Sequence, residues 1–529
     1  MFDYVIVGGG TAACVLANRL TADGRSRVLM LEAGGKPQSP WIRIPAGFTK
    51  LLVNPVYNWR FQTRPEDNVL GRTIAIPRGR GLGGSSLING MIYVHGQPGD
   101  YDQWAALGAT GWSAQTVLPY FTKLENYAFA SGSRGRQGPM HIDRVRERFP
   151  IASAVLEAAR EAGYPANDDY NGARQDGFGY YQVAQKDGQR WSVYEGYLKP
   201  AIARSNLQVQ TDAMVVRLQF EGRRCVGVTY RQAGQLKTVK AGREVILAAG
   251  AVQSPQLLEV SGVGDPQRLK QFGVDVVHAN AQVGENYIDH YATRMNWRVK
   301  GAATLNETTR GLSLVRSVLQ YAFKRQGILT LGTGLVHGFV RSEPSMPTPD
   351  VQYFFMHASY ANAAVRTLDT EPGMTMGVTG LRPTSRGSIH AESPDMLAPP
   401  AICPNFLATE EDQQCLVNGM KLVRDLMSKP AIARYIDHEL SPGKAVQSDE
   451  DWLHFARENG QTIYHPIGTC RMGSDELAVV DTRLRVNGVT GLRVVDASVF
   501  PSMVSGNTQG AVMAVAERAS DLILEDSRG

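Results

Sequence analysis

The segment FDYVIVGGGTAACVLANRL, residues 2–20, decides the fold of this chain. It opens with an apolar run that ends at Gly8, and Ala13, Leu16 and Leu20 then recur at the spacing of one helix face. A second apolar run, residues 27–31, follows at a distance that suits a parallel strand. The pattern predicts strand, tight turn, helix and parallel strand, which is a βαβ unit closed within about 35 residues.

The turn of this unit has the composition of a phosphate-binding loop. Residues 8–13, GGGTAA, fit the pattern G-x-G-x-x-A, in which Gly8 allows the tight turn and Gly10 lets the backbone approach a pyrophosphate. Glu32 ends the second strand roughly 20 residues later, where a carboxylate accepts hydrogen bonds from an adenosine ribose. The turn alone leaves NAD and FAD as alternatives. The nucleotide contacts predicted from this unit are Gly8, Gly10, Thr11, Ala12, Glu32 and Ala33.

The composition of the 529-residue chain excludes several classes of protein. A hydrophobic content of 43% is typical of globular proteins, and a net charge of +5 without a long Lys/Arg cluster argues against nucleic acid as a partner. The five cysteines are far apart and lack metal-ligand spacing, so we expect free thiols and no metal site. No basic signal region and no apolar run of about 18 residues occurs. We expect a cytoplasmic monomer or homodimer without a transmembrane segment, and leave open peripheral association with the inner membrane.

The remainder of the chain predicts a second architecture. Residues 207–247 read as short strands separated by glycine and charged turns, which indicates a β-meander. Between residues 297 and 460, strand-like pieces such as Val351–Met356 alternate with helical ones such as Arg316–Arg325. A closing helix is predicted from about Thr508 to Leu524. We expect a Rossmann-like α/β nucleotide-binding domain with a β-meander (1–153, 193–296 and 462–529) and an α+β substrate-binding domain with an antiparallel sheet (154–192 and 297–461).

Two longer motifs carry a resemblance to a known family. Residues 79–89, GRGLGGSSLIN, form a second glycine- and serine-rich turn, whose N–H groups and hydroxyls suit an anionic or carbonyl-rich ligand. With Tyr93, Gly96 and Asp102 this run resembles the first signature of the glucose-methanol-choline (GMC) oxidoreductases. Residues 250–264, GAVQSPQLLEVSGVG, are similar to the second signature. Shorter matches lie at 283–290, 382–387, 464–473 and 496–501, so the resemblance spans the chain.

The resemblance implies that the Rossmann-like domain binds FAD. Some members of the family bond the flavin to a histidine just before the asparagine of the first signature. This chain has Ile88 there, which has no nucleophilic atom, so the FAD is expected to be non-covalent. The further FAD contacts that the resemblance implies are Arg80, Gly83, Gly84, Ser85, Ser86, Asn89, Gly90, Val215, Ala249, Asp496, Ala497, Thr508 and Gln509.

The resemblance also implies that the chain oxidises an alcohol, and this reaction needs a base that faces the flavin. The base removes the hydroxyl proton while a hydride leaves the carbon for flavin N5, which favours a histidine of near-neutral pKa. His465 matches the family's catalytic histidine, and Asn507 takes the place of its second His or Asn in the loop before the final helix. Asn507 is expected to hold the substrate oxygen, with Thr508 next to it as a helix N-cap.

Two further histidines have less specific predictions. His290, beside Asp289, is expected to be structural, whereas His357 either lines the substrate pocket or belongs to the core.

The predicted function is oxidation of a primary or secondary alcohol, small or polyol-like, to an aldehyde or ketone. The electron acceptor is O2 or a quinone or dye. One alternative is an FAD-dependent hydroxynitrile lyase, which keeps FAD and the histidine without net redox chemistry. A catalytically silent FAD-binding protein is less consistent with the presence of both His465 and Asn507, and an NAD-dependent enzyme is less consistent with the second glycine-rich turn.

Overall fold

The computed structural model describes residues 1–362 and 367–528. Most of its strands of four or more residues belong to two large sheets. In chain order, the strands of these sheets are β1 (Phe2–Val7), β2 (Val28–Leu31), β3 (Gly177–Tyr180), β4 (Leu207–Gln210), β5 (Ala213–Glu221), β6 (Arg224–Gln232), β7 (Gln235–Leu247), β8 (Tyr291–Val299), β9 (Val336–Val340), β10 (Val351–Met356), β11 (Gly373–Gly380), β12 (Ile436–Ser441), β13 (Gln461–Thr462) and β14 (Leu492–Val494).

The longer helices cover the sheets or connect their strands. They are α1 (Thr11–Leu20), α2 (Pro98–Ala106), α3 (Ala114–Leu124), α4 (Pro150–Glu161), α5 (Gly250–Val260), α6 (Gly311–Lys324), α7 (Glu410–Ser428), α8 (Asp449–Asn459) and α9 (Gln509–Asp526). Within the described ranges, none of the helices combines the length and the apolar character needed to cross a bilayer.

The first large sheet contains the predicted βαβ unit. Its strands lie in the order β4-β2-β1-β7-β6-β5, with β14 beside β7. Strands β4, β2, β1, the end of β7 and β14 pair in parallel, because α1 and the longer connections return the chain to the same end of the sheet. The prediction of strand, turn, helix and parallel strand is confirmed by β1, α1 and β2.

The predicted meander is confirmed only for residues 213–240, because the end of β7 pairs in parallel with β1. There β5, β6 and β7 form successive antiparallel pairs. The prediction is wrong for Leu207–Gln210, which is the parallel edge strand β4 and pairs with β2. Strand β7 joins the two arrangements, since its first part pairs with β6 and its end with β1. A period-two pattern indicates an extended segment but does not identify its partner.

The second large sheet is antiparallel throughout the part of the chain that the structure describes, which confirms the predicted α+β architecture. Its order is β12-β8-β11-β10-β9-β3, with β13 beside β8. Helix α7 packs against β11, while α4 and α8 pack against α7. This unit has a hydrophobic core separate from that of the first sheet. Strand β8 crosses the predicted domain boundary at residue 297, and the domain ranges remain a prediction.

The carboxyl ends of the central parallel strands meet at one edge of the first sheet. Val7 of β1 pairs with Leu247 of β7, and Leu247 pairs with Val494 of β14. The chain leaves these strands at residues 8, 248 and 495, so three loops converge there. Ligands of open α/β sheets bind at this edge.

Helix α9 is held against α1 by a partly buried ion pair. Arg19 on α1 lies 2.6 Å from Glu517 on α9, and the Tyr197 hydroxyl also donates to Glu517, at 2.7 Å. Most of the α9 side chains are buried. These contacts fix the N-terminus of α9 at the edge where the strand ends converge.

Candidate active site

A cavity of about 280 Å³ extends from the first glycine turn to His465. Its walls come from the loops after β1, β7 and β14, from the second glycine-rich turn and from the start of α9. Of the predicted site residues, those that line it are Gly8, Gly10, Thr11, Ala12, Glu32, Ala33, Gly84, Ser85, Ser86, Asn89, Gly90, Val215, Ala249, His465, Asp496, Ala497, Asn507, Thr508 and Gln509. Two predicted contacts, Arg80 and Gly83, do not line it.

The first turn presents bare backbone to the cavity. Gly8 has φ +104°, and a Cβ added there would lie 2.6 Å from the Ala248 carbonyl oxygen, so the position requires glycine. Gly10 has ordinary extended geometry, and its added Cβ would meet no protein atom closer than 3.8 Å. A side chain at Gly10 would therefore project into the cavity, where the motif places a pyrophosphate.

Glu32 holds the two glycine turns together. Its carboxylate accepts hydrogen bonds from the backbone N–H groups of Gly9 (2.6 Å), Gly34 (2.7 Å) and Gly81 (2.9 Å). Burial raises the pKa of Glu32, and these bonds oppose the rise. A carboxylate offers about four acceptor positions, so roughly one remains for a ribose hydroxyl.

The second turn packs directly on the first. The N–H of Gly83 donates to the Gly9 carbonyl at 2.7 Å, and a Cβ on Gly84 would lie 2.7 Å from the Gly10 Cα. Arg80 lies over the Trp59 ring, 5.0 Å from its centroid. Gly83 and Arg80 therefore lie behind the wall, and their contact with FAD stays a prediction.

Sequence analysis missed a buried cation beneath the second turn. The Arg190 guanidinium donates to the carbonyls of Ile42 and Ser86 and to the Asn89 side chain. Its pKa is lowered to about 9 by burial. Asn89 in turn contacts Gln509 at the start of α9, so Arg190 orients an amide that lines the cavity. No motif marks this arginine, because its partners come from distant segments.

His465 lies at the end of a hydrogen-bonded chain that fixes its proton. The Leu381 carbonyl oxygen only accepts, so His290 Nε2, 2.8 Å away, carries a proton and donates it. In the neutral ring His290 Nδ1 is then an acceptor, and His465 Nδ1, 2.9 Å away, donates to it. His465 Nε2 keeps its lone pair, to which the Asn507 amide donates across 3.2 Å.

Both histidines are neutral at physiological pH. Burial lowers the pKa of His465 well below 6.5, and the nearby His290 and Arg78 lower it further. Burial also lowers the pKa of His290 to about 4. The structure thus places an unprotonated Nε2 on the cavity wall, and the direct contact of His290 goes beyond the structural role predicted for it.

Asp289 fixes the backbone at His465. Its carboxylate accepts from the His465 N–H at 2.7 Å and from the hydroxyls of Thr462 and Tyr287 at 2.5 and 2.9 Å. Burial raises the pKa of Asp289 to about 6. Tyr464, just before His465, has φ +75°, a left-handed conformation that non-glycine residues adopt where the surroundings over-determine it.

Asn507 is oriented by a neighbour on the second sheet. Gln352 Nε2 donates to Asn507 Oδ1 at 3.4 Å, which turns Asn507 Nδ2 toward His465. Thr508 occupies the predicted N-cap position of α9, but its hydroxyl makes no capping hydrogen bond. Asn507, Thr508 and Gln509 instead line the cavity in front of the helix N-terminus.

Two other predicted positions have clear environments. His357 packs against Phe149 with ring centroids 4.0 Å apart and the rings tilted by 34°, and it does not line the cavity, which favours the core alternative. Ile88 is buried and lines the cavity, so an aliphatic side chain stands at the attachment position.

The second sheet contributes an arginine to the cavity. Arg294 on β8 lines the wall together with Phe354 on β10, and its guanidinium lies 5.8 Å from the Phe354 ring centroid. Among the described residues that line the cavity, the carboxylates are Glu32 and Asp496. Asp496 also accepts three hydrogen bonds, from two backbone N–H groups and one hydroxyl. The wall from the second sheet therefore presents a positive charge.

The cavity joins a dinucleotide-binding turn to a neutral histidine that is oriented by hydrogen bonds. This combination is typical of an oxidoreductase that uses a dinucleotide cofactor. The family model described as GMC oxidoreductase matches residues 2–292 with its N-terminal part and residues 383–516 with its C-terminal part. The chain belongs to the GMC oxidoreductase family, as the signatures indicated.

Relatives along the full length agree with this assignment. The chain is 40% identical to the alcohol dehydrogenase [acceptor] of Pseudomonas putida, with 99% of this chain and 96% of the relative covered. It is 40% identical to the mitochondrial choline dehydrogenase of Homo sapiens, with 99% and 89% covered. Among solved structures, pyridoxine 4-oxidase from Mesorbium loti superposes with a TM-score of 0.90 at 28% identity, with 99% of each chain covered. A formate oxidase structure from Aspergillus oryzae gives a TM-score of 0.92 at 28% identity, with 100% of this chain and 98% of that chain covered.

The predicted cofactor is FAD, and the residues present fit it. The bare Gly10 backbone, the remaining acceptor position of Glu32 and the start of α9 lie along one continuous cavity. The chain is an FAD-dependent oxidoreductase acting on CH–OH groups.

Proposed function

We propose that this enzyme oxidises a primary or secondary alcohol without a cationic group to the aldehyde or ketone, with His465 as the base. The observation that carries the proposal is the unprotonated Nε2 of His465 on the cavity wall, 3.2 Å from the Asn507 amide. Bound FAD supplies the acceptor for the hydride that leaves the substrate carbon.

The protein's own residues then have separate roles. The substrate hydroxyl replaces the Asn507 amide as the donor to His465 Nε2. The substrate oxygen then accepts from Asn507 Nδ2, and Gln352 holds the Oδ1 of the same amide. As the hydride leaves, Nε2 takes the hydroxyl proton. Asn507 holds the oxygen but does not take the proton, since an amide has no basic site of the required strength.

The charge of the cavity restricts the substrate class. Choline dehydrogenases are among the relatives, but a quaternary ammonium group in this cavity would face the Arg294 cation. The two lining carboxylates, Glu32 and Asp496, are held by the glycine turns and the loops of the first sheet, away from the second sheet that carries Arg294. We propose that neutral alcohols are preferred over choline.

Anaerobic titration tests the proposal. Neutral alcohols should bleach the oxidised flavin band, whereas choline should do so poorly, and admission of O2 and then of a quinone or dye identifies the acceptor. His465→Ala should keep FAD and slow bleaching by roughly 10²–10⁴-fold. His438→Ala, at an exposed surface histidine, is the matched control. Near-wild-type bleaching by His465→Ala would remove it as the base.

The named relatives and the cysteines bear on two other parts of the proposal, the type of reaction and the cellular location. The relatives and neighbours named above are dehydrogenases and oxidases, which gives the hydroxynitrile lyase alternative no support. A cytoplasmic location is supported by the five cysteines, all of which are free thiols.

A further inference from the structure

Helix α6 lies almost entirely outside the packed body of the protein. Of its side chains, Tyr321 is the buried one, and its hydroxyl donates to the Gly188 carbonyl at 3.2 Å. An isolated helix of 14 residues is marginal in water, and helices are normally stabilised by burying an apolar stripe. In α6 the apolar side chains face away from the body.

The exposed apolar residues form a stripe along α6. Leu312 is 88% exposed and Phe323 is 84% exposed, with Val315 and Leu319 about half exposed between them. Their spacing of three, four and four residues places them on one face of the helix. Leu314 and Val318 widen the stripe on one side. A contiguous exposed apolar patch of this kind marks an interaction site.

The charged residues of α6 and of its two ends, residues 310–325, are all cations. Arg310 precedes α6, Arg316 lies beside the stripe, and Lys324 and Arg325 follow its end, whereas residues 308–330 contain no Asp or Glu. Across residues 1–362 and 367–528, none of these four cations forms a salt bridge. Arg310 donates to the Asp369 carbonyl, and Arg325 lies over the Tyr321 ring. For Arg316 and Lys324 the described residues show no such contact, so these two charges can face an anionic surface.

We propose that α6 is an interfacial helix that docks the enzyme on a lipid bilayer with anionic headgroups. Fourteen residues extend about 21 Å, too short to span a hydrocarbon core of roughly 30 Å, so the helix lies in the plane of the interface. The apolar stripe enters the boundary of headgroups and acyl chains while Arg316 extends to the phosphates. A second copy of the chain fits less well, because pairing two such helices would bring like charges together without an acid between them.

The docking helix is adjacent to the cavity. The chain continues from α6 into a short turn, Ile328–Thr330, and then to Thr333, which lines the cavity. That turn contacts Pro45–Gly47, next to a segment in which Trp41, Val53 and Val56 are exposed. Docking would thus bring a lipid phase beside one cavity wall. The inference rests on the surface of α6 and does not depend on the proposed substrate.

Vesicle co-sedimentation of the purified holoenzyme tests the proposal. Vesicles of phosphatidylcholine with about one third phosphatidylglycerol should bind the protein, and phosphatidylcholine alone should bind it more weakly. Arg316→Gln with Lys324→Gln should lower partitioning onto the mixed vesicles by roughly 30-fold, at about fivefold for each charge. Leu319→Glu with Phe323→Glu should abolish binding. Leu236→Glu, at another exposed leucine, should bind like the wild type.

Three readouts keep the test decisive. All variants are on the surface, so FAD content and flavin bleaching in the absence of vesicles should be unchanged, which separates failed docking from failed folding or a failed alcohol assignment. Wild-type protein that binds neither kind of vesicle would overturn the proposal. So would a wild-type dimer that the Leu319→Glu and Phe323→Glu changes convert to monomer, since a second copy would then cover α6.

Discussion

Replacing His290 by phenylalanine should impair the catalytic base His465, although His465 itself is unchanged. His290 Nδ1 is the acceptor for His465 Nδ1–H at 2.9 Å, and it is this bond that leaves His465 Nε2 unprotonated. In His290→Phe a ring of similar size remains, but the acceptor is gone. His465 must then either keep an unsatisfied N–H in a buried site or move its proton to Nε2, where it no longer serves as a base.

The size of the effect follows from the cost of that unsatisfied group. A buried donor left without its partner costs about 1–3 kcal/mol, and about 1.4 kcal/mol corresponds to a factor of ten. The rate of flavin reduction should therefore fall roughly 5- to 150-fold, which is less than the effect expected for removal of His465. His290→Gln, whose amide can accept from His465 and donate to the Leu381 carbonyl, should recover most of the rate.

Stopped-flow absorbance of the oxidised flavin band under anaerobic conditions measures this rate against pH. Because the pKa of His465 lies well below 6.5, reduction by the wild type should increase with pH only on the acid side and stay level above neutrality. His290→Gln should share that profile, and His290→Phe should be slower at every pH. A His290→Phe protein that retains FAD and reacts at the wild-type rate would refute the tautomer argument.

Three other predictions concern the cofactor site and the fold. Gly10→Val should fold but purify without FAD, because the nearest protein atom to its Cβ is the Ala248 carbonyl oxygen at 3.8 Å, an ordinary contact, and the side chain would fill the cofactor space. Gly8→Ala should fail to fold, because its Cβ would clash with backbone, and a yellow Gly10→Val protein would contradict this reasoning. Acid precipitation should release all the flavin from the wild type, since Ile88 offers no attachment atom, and colour in the pellet would show a covalent bond. Burial lowers the pKa of His390, but hydrogen bonds to two glutamates outweigh it and raise the value to about 8. That contribution, about 2 kcal/mol, should be complete below pH 6.5 and lost as pH rises through 8, and urea unfolding should show no such loss in His390→Asn.

Local elements of the fold could be predicted because their patterns are local. The predicted strand Val351–Met356 is β10, and the βαβ unit has the predicted bounds within a residue. The partner of Leu207–Gln210 could not be predicted, since pairing depends on segments far away in the sequence. The helix predicted from Arg316 begins five residues earlier, at Gly311. The pattern missed its first turn because the apolar residues there face solvent and do not mark a buried helix face.

The cavity-lining residues were predictable where a motif ties residue type to a backbone requirement. Gly8, Gly10 and Glu32 are of this kind, and the structure brings them together with His465. The contact of His290 with His465 joins residues 175 positions apart, and its meaning depends on which ring nitrogens face each other. A sequence carries no local signal for such a contact.

A neutral partner for His465 has a consequence for proton transfer. A carboxylate in the place of His290 would accept the same Nδ1–H bond but would favour the imidazolium and raise the pKa of His465. Burial, together with the nearby His290 and Arg78, favours the uncharged ring, so Nε2 stays unprotonated at neutral pH. The same surroundings make the imidazolium formed after proton uptake costly. Asp289 accepts a hydrogen bond from the His465 backbone N–H, so the aspartate positions the base while the neutral His290 sets its tautomer.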